Sequence, residues 1–182
     1  FEAVKTNIIG TQNVVNASLE CNVNMAVGVG TDKSVSPLNT YGATKLLMEK
    51  LFVTANNYLN KQKYKTRFLA VRYGNVVGSS GSVIPKFIEQ IKSKKKVTIT
   101  DPEMTRFSMT MDQALELIVD ASISGKESEI YVPKLKAYSI MDVKDTLFEI
   151  LGKSEEKIVG IRPGEKLHEV LINKDEMRSS WD

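Results

Sequence analysis

Apolar side chains at Val4, Ile8, Val14, Val15 and Leu19 recur at helical spacing and predict a helix as far as about residue 20. The unbroken apolar run Met25-Ala26-Val27-Gly28-Val29 comes next and reads as a buried strand. A second helix starts between Pro37 and Tyr41 and continues towards Leu59, carrying Leu46, Leu47, Leu51 and Val53; a β-rich run over 67–73 follows it. Beyond that, the pattern predicts a helix over 83–93, a short strand over 97–100, a helix over 111–124 and a strand over 129–132. Helices alternating with nearly continuous apolar strands specify an α/β fold with a parallel sheet covered on both faces. After Pro133 the rhythm changes to an extended segment over 138–141, a helix over 142–151 closed by Gly152, a strand over 157–161 and a helix over 165–171. These read as a small appended lobe, with 78–82 as the first crossing into it.

At 182 residues and 42% hydrophobic content the chain can bury one sizeable core and a small second one. The 25 basic and 22 acidic residues are dispersed, so the net charge of +3 does not mark a nucleic-acid partner. The densest basic run, 92–96, has no interleaved aromatics and falls at a helix end, where it reads as a solvated face. No stretch approaches the roughly 20 apolar residues of a membrane span and no signal peptide opens the chain, so a cytoplasmic protein with no membrane partner is expected. The single Cys21 cannot form an internal disulfide, which agrees with a reducing compartment, and reads as a small, at least half-buried residue. Phe1, not Met, opens the chain straight into helical periodicity without a capping residue, which reads as a fragment.

In an open parallel sheet, ligands bind beyond the carboxyl ends of the strands. That rule selects Thr31, Asp32 and Lys33 after the first strand, and Gly74, Asn75, Val76 and Val77 after the second, as two polar loops expected to line one crevice. Tyr41 and Lys45 lie four residues apart at the start of a helix and so share a face. An ammonium beside a phenol favours the phenolate, which makes Tyr41 a candidate proton acceptor for an alcohol undergoing oxidation. An exposed helix pair would show the same spacing; the strand-end Thr-Asp-Lys gives it meaning. His168, the only histidine, falls within the last predicted helix and reads as a packing or capping residue. No His, Cys and carboxylate cluster has metal-ligand spacing, so no metal is expected.

The run from Gly30 to Lys45, GTDKSVSPLNTYGATK, resembles the active-site stretch of the extended short-chain dehydrogenases, and specifically of the inverting UDP-N-acetylglucosamine 4,6-dehydratases. Four further segments continue the resemblance in order: KTNIIGT from Lys5, RYGNVVG from Arg72, MTRF from Met104 and IRPGEKLHE from Ile161. Retaining dehydratases of the superfamily usually carry Asp-Glu where this chain has Asp32-Lys33. Membrane-anchored relatives tend to replace the tyrosine by methionine, whereas Tyr41 is present here.

The resemblance implies the latter part of a Rossmann-like NADP-binding domain over 1–77 and 111–133, and a small α/β substrate-binding lobe over 78–110 and 134–182. The glycine-rich cofactor loop would lie upstream of Phe1, so this chain alone is expected to be inactive; Gly78-Ser79-Ser80-Gly81 lacks the spacing to replace it. By resemblance, Thr31, Asp32, Lys33 and Tyr41 are catalytic, and Tyr41, Lys45 and Val76 meet NADP. Tyr41, helped by Lys45 and Thr31, would take the proton of the sugar 4-hydroxyl. Lys33 would remove the hydrogen at carbon 5, and Asp32 would protonate the departing 6-hydroxyl. Asn75, Ser80, Gly81, Ser82, Val83 and Thr100 would hold the UDP-sugar, with Arg106 and Arg162 on its diphosphate; the opening of the helix near Val83 suits an anion. A homo-oligomer is implied as well. The alternatives at the same site are a UDP-hexosamine 4- or 5-epimerase, which has less use for Asp32 and Lys33, and a non-catalytic nucleotide-binding protein of the same fold.

Overall fold

In the computed structural model, which describes residues 1–60, 62–79 and 81–181, the chain opens as one helical run. It comprises α1 (Glu2–Val4), a π-helical turn at Lys5–Ile9 and α2 (Gly10–Glu20). Then come β1 (Met25–Thr31), a 3₁₀ turn at Asp32–Ser34, α3 (Thr40–Tyr58), β2 (Arg67–Tyr73), β3 (Asn75–Val76), α4 (Val83–Lys92), β4 (Val97–Ile99) and β5 (Thr105–Met109). The remainder is α5 (Met111–Ser124), β6 (Ile130–Tyr131), β7 (Ala137–Ser139), α6 (Ile140–Leu151), β8 (Glu156–Ile158) and a 3₁₀ turn at Glu176–Ser179. Two compact units result. The first holds Phe1–Tyr73, Asp112–Pro133 and Val170–Asp182, the second Gly74–Met111 and Lys134–Glu169. The expected division placed all of 134–182 in the second; in the structure the last thirteen of these residues, Val170–Asp182, belong to the first.

The sheet of the first unit runs β1-β2-β6 and is parallel throughout, with Met25 opposite Arg67 and Thr31 opposite Tyr73. The side chains of β2 explain why it lies in the middle. Phe68 packs on one face against Phe52 and Ala55 of α3, its ring edge-on to Phe52 at 5.3 Å, while Leu69 and Val71 meet Ala121 of α5 on the other. A strand buried on both faces has no polar side to alternate with, which is why the sequence reads as one apolar run. Asn56 of α3 fastens the start of β2 by accepting from the Phe68 amide and donating to the Phe68 carbonyl.

At its far end β2 delivers Arg72, 1% exposed, between α3 and the C-terminal segment. All five guanidinium N–H groups are used. Nε and Nη2 donate to the two oxygens of Glu49 at 2.9 and 2.6 Å, Nη1 and Nη2 to those of Glu176 at 2.9 and 2.8 Å, and Nη1 also to the Leu171 carbonyl at 2.8 Å. Burial opposes the Arg72 charge, but the hydrogen bonds and charges of Glu49 and Glu176 outweigh it and hold the guanidinium well above its ordinary range.

In the second unit, Phe87 and Ile91 of α4, Val97 and Ile99 of β4, Met104 and Ile140 form the core. β4 pairs with β8 in parallel, while β5 lies between β3, parallel to it, and β7, antiparallel. Gly152 closes α6 with φ +96°, a conformation that glycine adopts without a β-carbon clash. The helix expected over 165–171 does not form. The carbonyls it would need for its own ladder are taken from outside: Leu167 accepts from the Thr105 amide and from Arg106, and Lys166 from Arg106. Cys21 is exposed rather than sheltered, and no described helix is long and apolar enough to cross a membrane.

Two outcomes follow from the Arg72 cluster. Arg72→Met leaves two carboxylates facing each other without their cation, so it is expected to cost about 3–5 kcal/mol in chemical denaturation. The Glu176 carboxyl is subject to burial, which raises its pKa, but the hydrogen bonds from Arg72 and the Asn173 amide and the charges of Arg72 and Lys50 hold it below the ordinary 4.5. Its contribution to stability is therefore complete above that value and is lost as pH falls through the lowered one. Urea unfolding followed from about pH 6 to pH 3 should show a shallower acid loss in Glu176→Gln than in the wild type.

Candidate active site

Strand β1 ends by turning its last side chains onto one carboxylate. Asp32, 1% exposed, receives at Oδ1 the Thr31 hydroxyl at 2.9 Å and the Lys33 ammonium at 3.1 Å. Its Oδ2 is buried with no hydrogen-bond partner among the described residues, a costly arrangement that a ligand group would relieve. The turn is closed by the Val35 amide donating to the Asp32 carbonyl and by the Ser34 hydroxyl donating to the Thr31 carbonyl at 2.6 Å. Lys33 keeps nearly half its side chain in solvent while its ammonium reaches the buried acid.

Tyr41 stands in the first turn of α3, which Asn39 caps by accepting from the Gly42 amide at 2.8 Å. Gly42 lets this helix start press on the Asp32–Ser34 turn, because a β-carbon there would lie 2.6 Å from the Lys33 carbonyl oxygen and 2.9 Å from the Pro37 β-carbon. The tyrosine is 49% exposed, and the Lys45 ammonium lies 5.8 Å from its ring centre. Lys45 forms no ion pair among the described residues; its contact is the Met48 sulfur at 4.0 Å. The first unit thus brings Thr31, Asp32 and Lys33 into direct contact and sets Tyr41 and Lys45 on the helix turn packed against them.

One contributor carries no role in the reading from sequence. Asn7, buried in the π-helical turn, donates to the Thr44 hydroxyl at 3.0 Å, and Thr44 in turn donates to the Tyr41 carbonyl at 2.8 Å. The N-terminal helical run is thereby tied to the turn of α3 that carries Tyr41. A π turn is uncommon and marks a place where helix geometry yields to another constraint. The signal in the sequence was the segment from Lys5 to Thr11, which resembled the family but named no chemistry.

The remaining expected residues lie in the second unit. Asn75 and Val76 form β3, opposite Ser108 and Met109 of β5. Ser80 lies outside the described residues. Gly81 has φ +76°, and Ser82 takes the cap position of α4 without a side-chain cap bond. Val83 begins that helix, and Pro85 removes one of the amides an anion would use. Thr100 follows β4. Arg106 is committed to its own unit, donating to the carbonyls of Thr105, Lys166 and Leu167. Arg162, expected before a helix, instead lies in an exposed irregular segment, where its guanidinium has no hydrogen bond among the described residues. His168 is likewise outside any helix and is hydrogen-bonded through Nδ1 to the Thr105 hydroxyl at 2.8 Å.

The profile of the polysaccharide biosynthesis protein family matches residues 1–182. The chain is 44% identical over 185 residues to an uncharacterized membrane protein of Methanocaldococcus jannaschii, covering 97% of this chain and 55% of that protein. It is 43% identical over 184 residues to the inverting UDP-N-acetylglucosamine 4,6-dehydratase of Campylobacter jejuni, covering 100% and 53%. To the UDP-glucose 4-epimerase of Rickettsia felis it is 41% identical, again covering 100% and 53%. The chain therefore spans about half the length of these relatives. Among solved structures, Pen from Bacillus thuringiensis superposes with TM-score 0.93 at 40% identity, covering 100% of this chain and 56% of that one. UDP-glucuronic acid 4-epimerase from Bacillus cereus does so with TM-score 0.82 at 21% identity, covering 96% and 61%. These likenesses establish a Rossmann-like α/β fold.

The expectation of NADP, and with it of an NADP-dependent enzyme, is corrected by the same neighbours. Six solved structures of nucleotide-sugar enzymes of this fold, 18–23% identical, are complexes with NAD. The physical reason is that the two nucleotides differ at the ribose 2′ position, which an acidic residue early in a Rossmann domain reads, whereas the Tyr41 and Lys45 pair is indifferent to it.

Gly42→Ala tests the packing of the α3 start on the turn. Its methyl group would meet backbone atoms that cannot move aside, so a loss of about 1–3 kcal/mol in thermal or chemical unfolding is expected.

Proposed function

The chain belongs to the polysaccharide biosynthesis protein family, and we propose that it serves the dehydration of a UDP-linked N-acetylhexosamine across carbons 5 and 6, with inversion at carbon 5. The observation that carries this reading is the Lys33–Asp32 contact beside Tyr41. An elimination needs a base for one proton and an acid for another, and here the two candidate groups share an atom contact of 3.1 Å.

Tyr41, as phenolate, accepts the proton of the sugar 4-hydroxyl. The resulting 4-ketone acidifies the hydrogen at carbon 5, which the neutral Lys33 amine removes. Asp32, protonated at this stage, gives its proton to the 6-hydroxyl, which leaves as water. Lys33 is then an ammonium and Asp32 a carboxylate, the ion pair found at the end of β1; transfer of one proton across that contact resets the pair. Inversion follows when carbon 5 is reprotonated on the opposite face by the proton that Tyr41 took from the 4-hydroxyl, which returns Tyr41 to the phenolate. The bound nicotinamide ring, of the NAD type, would supply the acceptor for the carbon 4 hydride and its later donor to carbon 6. Lys45, an ammonium without an ion-pair partner among the described residues, and the exposed Tyr41 suit such a nucleotide, and Val76 is proposed to touch it. Asn75, Gly81, Ser82, Val83 and Thr100 are proposed to hold the UDP-sugar. Of the two diphosphate candidates, the Arg162 guanidinium has no hydrogen bond among the described residues, while Arg106 donates to the carbonyls of Thr105, Lys166 and Leu167.

A second reading is favoured by the 41% identity to a protein named UDP-glucose 4-epimerase. Epimerisation at carbon 4 uses Tyr41 and Lys45 but no elimination pair. Proton NMR of UDP-N-acetylglucosamine with NAD and the full-length protein in deuterated water separates the two. Dehydration gives a new methyl signal on a 4-keto sugar with deuterium at carbon 5, and Lys33→Ala is expected to slow it by about 10²–10⁴-fold. Ring changes without a methyl signal, unaffected by Lys33→Ala, would assign the epimerase.

A further inference from the structure

Glu49 is a charge where packing alone would ask for none. It is 1% exposed on the inward face of α3, among Phe52, Val53 and Ala55. Buried ion pairs contribute little net stability, because desolvation consumes most of their attraction, and an apolar side chain of similar volume usually serves as well. What the pair does supply is direction. Glu49 Oε1 accepts from Arg72 Nη2 at 2.6 Å, and Oε2 accepts from Arg72 Nε at 2.9 Å and lies 3.3 Å from the Ser34 hydroxyl. The end of β1 is shaped for this carboxylate, since a β-carbon on Gly30 would stand 2.9 Å from Oε2. Apolar contacts are non-directional and let a helix rotate on a sheet at small cost, whereas a bidentate guanidinium–carboxylate pair fixes its angle.

Tyr41, Lys45 and Glu49 follow one another at four-residue steps, so the three side chains lie along one stripe of α3. Ser34 is the last residue of the turn that begins with Asp32 and Lys33. We infer that Glu49 is a positioning residue: held by Arg72, it sets the rotation of α3 and so the direction of Tyr41 and Lys45, and through Ser34 it steadies the Asp32–Lys33 turn. The inference rests on the proton-transfer roles proposed above, but the direction of Tyr41 can be read without any turnover.

Glu49→Gln keeps the volume and one acceptor and removes the charge that engages Arg72 twice. In the full-length protein labelled with 3-fluorotyrosine, the Tyr41 fluorine line is assigned by its loss in Tyr41→Phe. Glu49→Gln is expected to shift or broaden that line and to leave those of Tyr131 and Tyr138 in place. In single turnover with UDP-N-acetylglucosamine it should slow nicotinamide reduction roughly 10- to 100-fold with KM within about twofold, and slow the Tyr41→Phe protein no further. Should Glu49→Gln not fold, Glu176→Gln, which releases only the partly exposed end of the clamp, is expected to act in the same direction with a smaller effect. An unmoved Tyr41 line, or the same slowing in the wild-type and Tyr41→Phe backgrounds, overturns the inference. A wild type that neither dehydrates nor epimerises, while Glu49→Gln still moves the Tyr41 line, refutes the proposed function and upholds the positioning.

Discussion

The guanidinium of Arg72, with every donor engaged and water excluded, is the constraint on which the first unit is assembled. It stands at the end of the central strand and joins α3 through Glu49 to the C-terminal segment through Glu176 and Leu171. These partners lie 23 to 104 residues away in sequence. Such an arrangement is stable only when all of its members are present, because any one of them buried alone would carry the full penalty of a desolvated charge. The C-terminal segment is thus part of the sheet unit for an electrostatic reason.

Close approach is the second theme. At Gly30 and Gly42 a side chain would collide with the Glu49 carboxylate or with the backbone of the Lys33 turn. The two glycines allow strand end, turn and helix start to meet within van der Waals distance. The chemistry this permits is concentrated: an acid and an amine in contact, and a phenol and a second amine on the adjoining helix turn. The buried Asp32 Oδ2, without a hydrogen-bond partner among the described residues, has polar capacity left for a ligand.

The split among relatives between dehydratase and epimerase names has a plain chemical root. Both reactions begin by oxidising carbon 4, which asks for the same phenol and lysine; they part only at carbon 5, where one must remove a proton and expel a hydroxyl. In the function proposed above, that difference falls to Asp32 and Lys33, two residues of the chain, so overall similarity to either group has little power to choose.

Most of the fold was legible in the sequence because its signals are local. The unbroken apolar run of β2 and the helical spacing of α3 and α5 report burial directly, and the observed elements there agree with the pattern to within a few residues. The shared placement of Tyr41 and Lys45 on α3 was legible as well, since four-residue spacing on a helix is itself a statement about geometry. Other features could be decided only by the folded chain. The pattern over 165–171 favours a helix, yet Thr105 and Arg106 claim its carbonyls. Arg72 and Glu49 read as ordinary polar residues until the fold places them together, and Asn7 until it meets Thr44. Local periodicity determines which segments become helix or strand; which charge faces which, and how a helix is turned towards its chemistry, depends on partners that sequence separation hides.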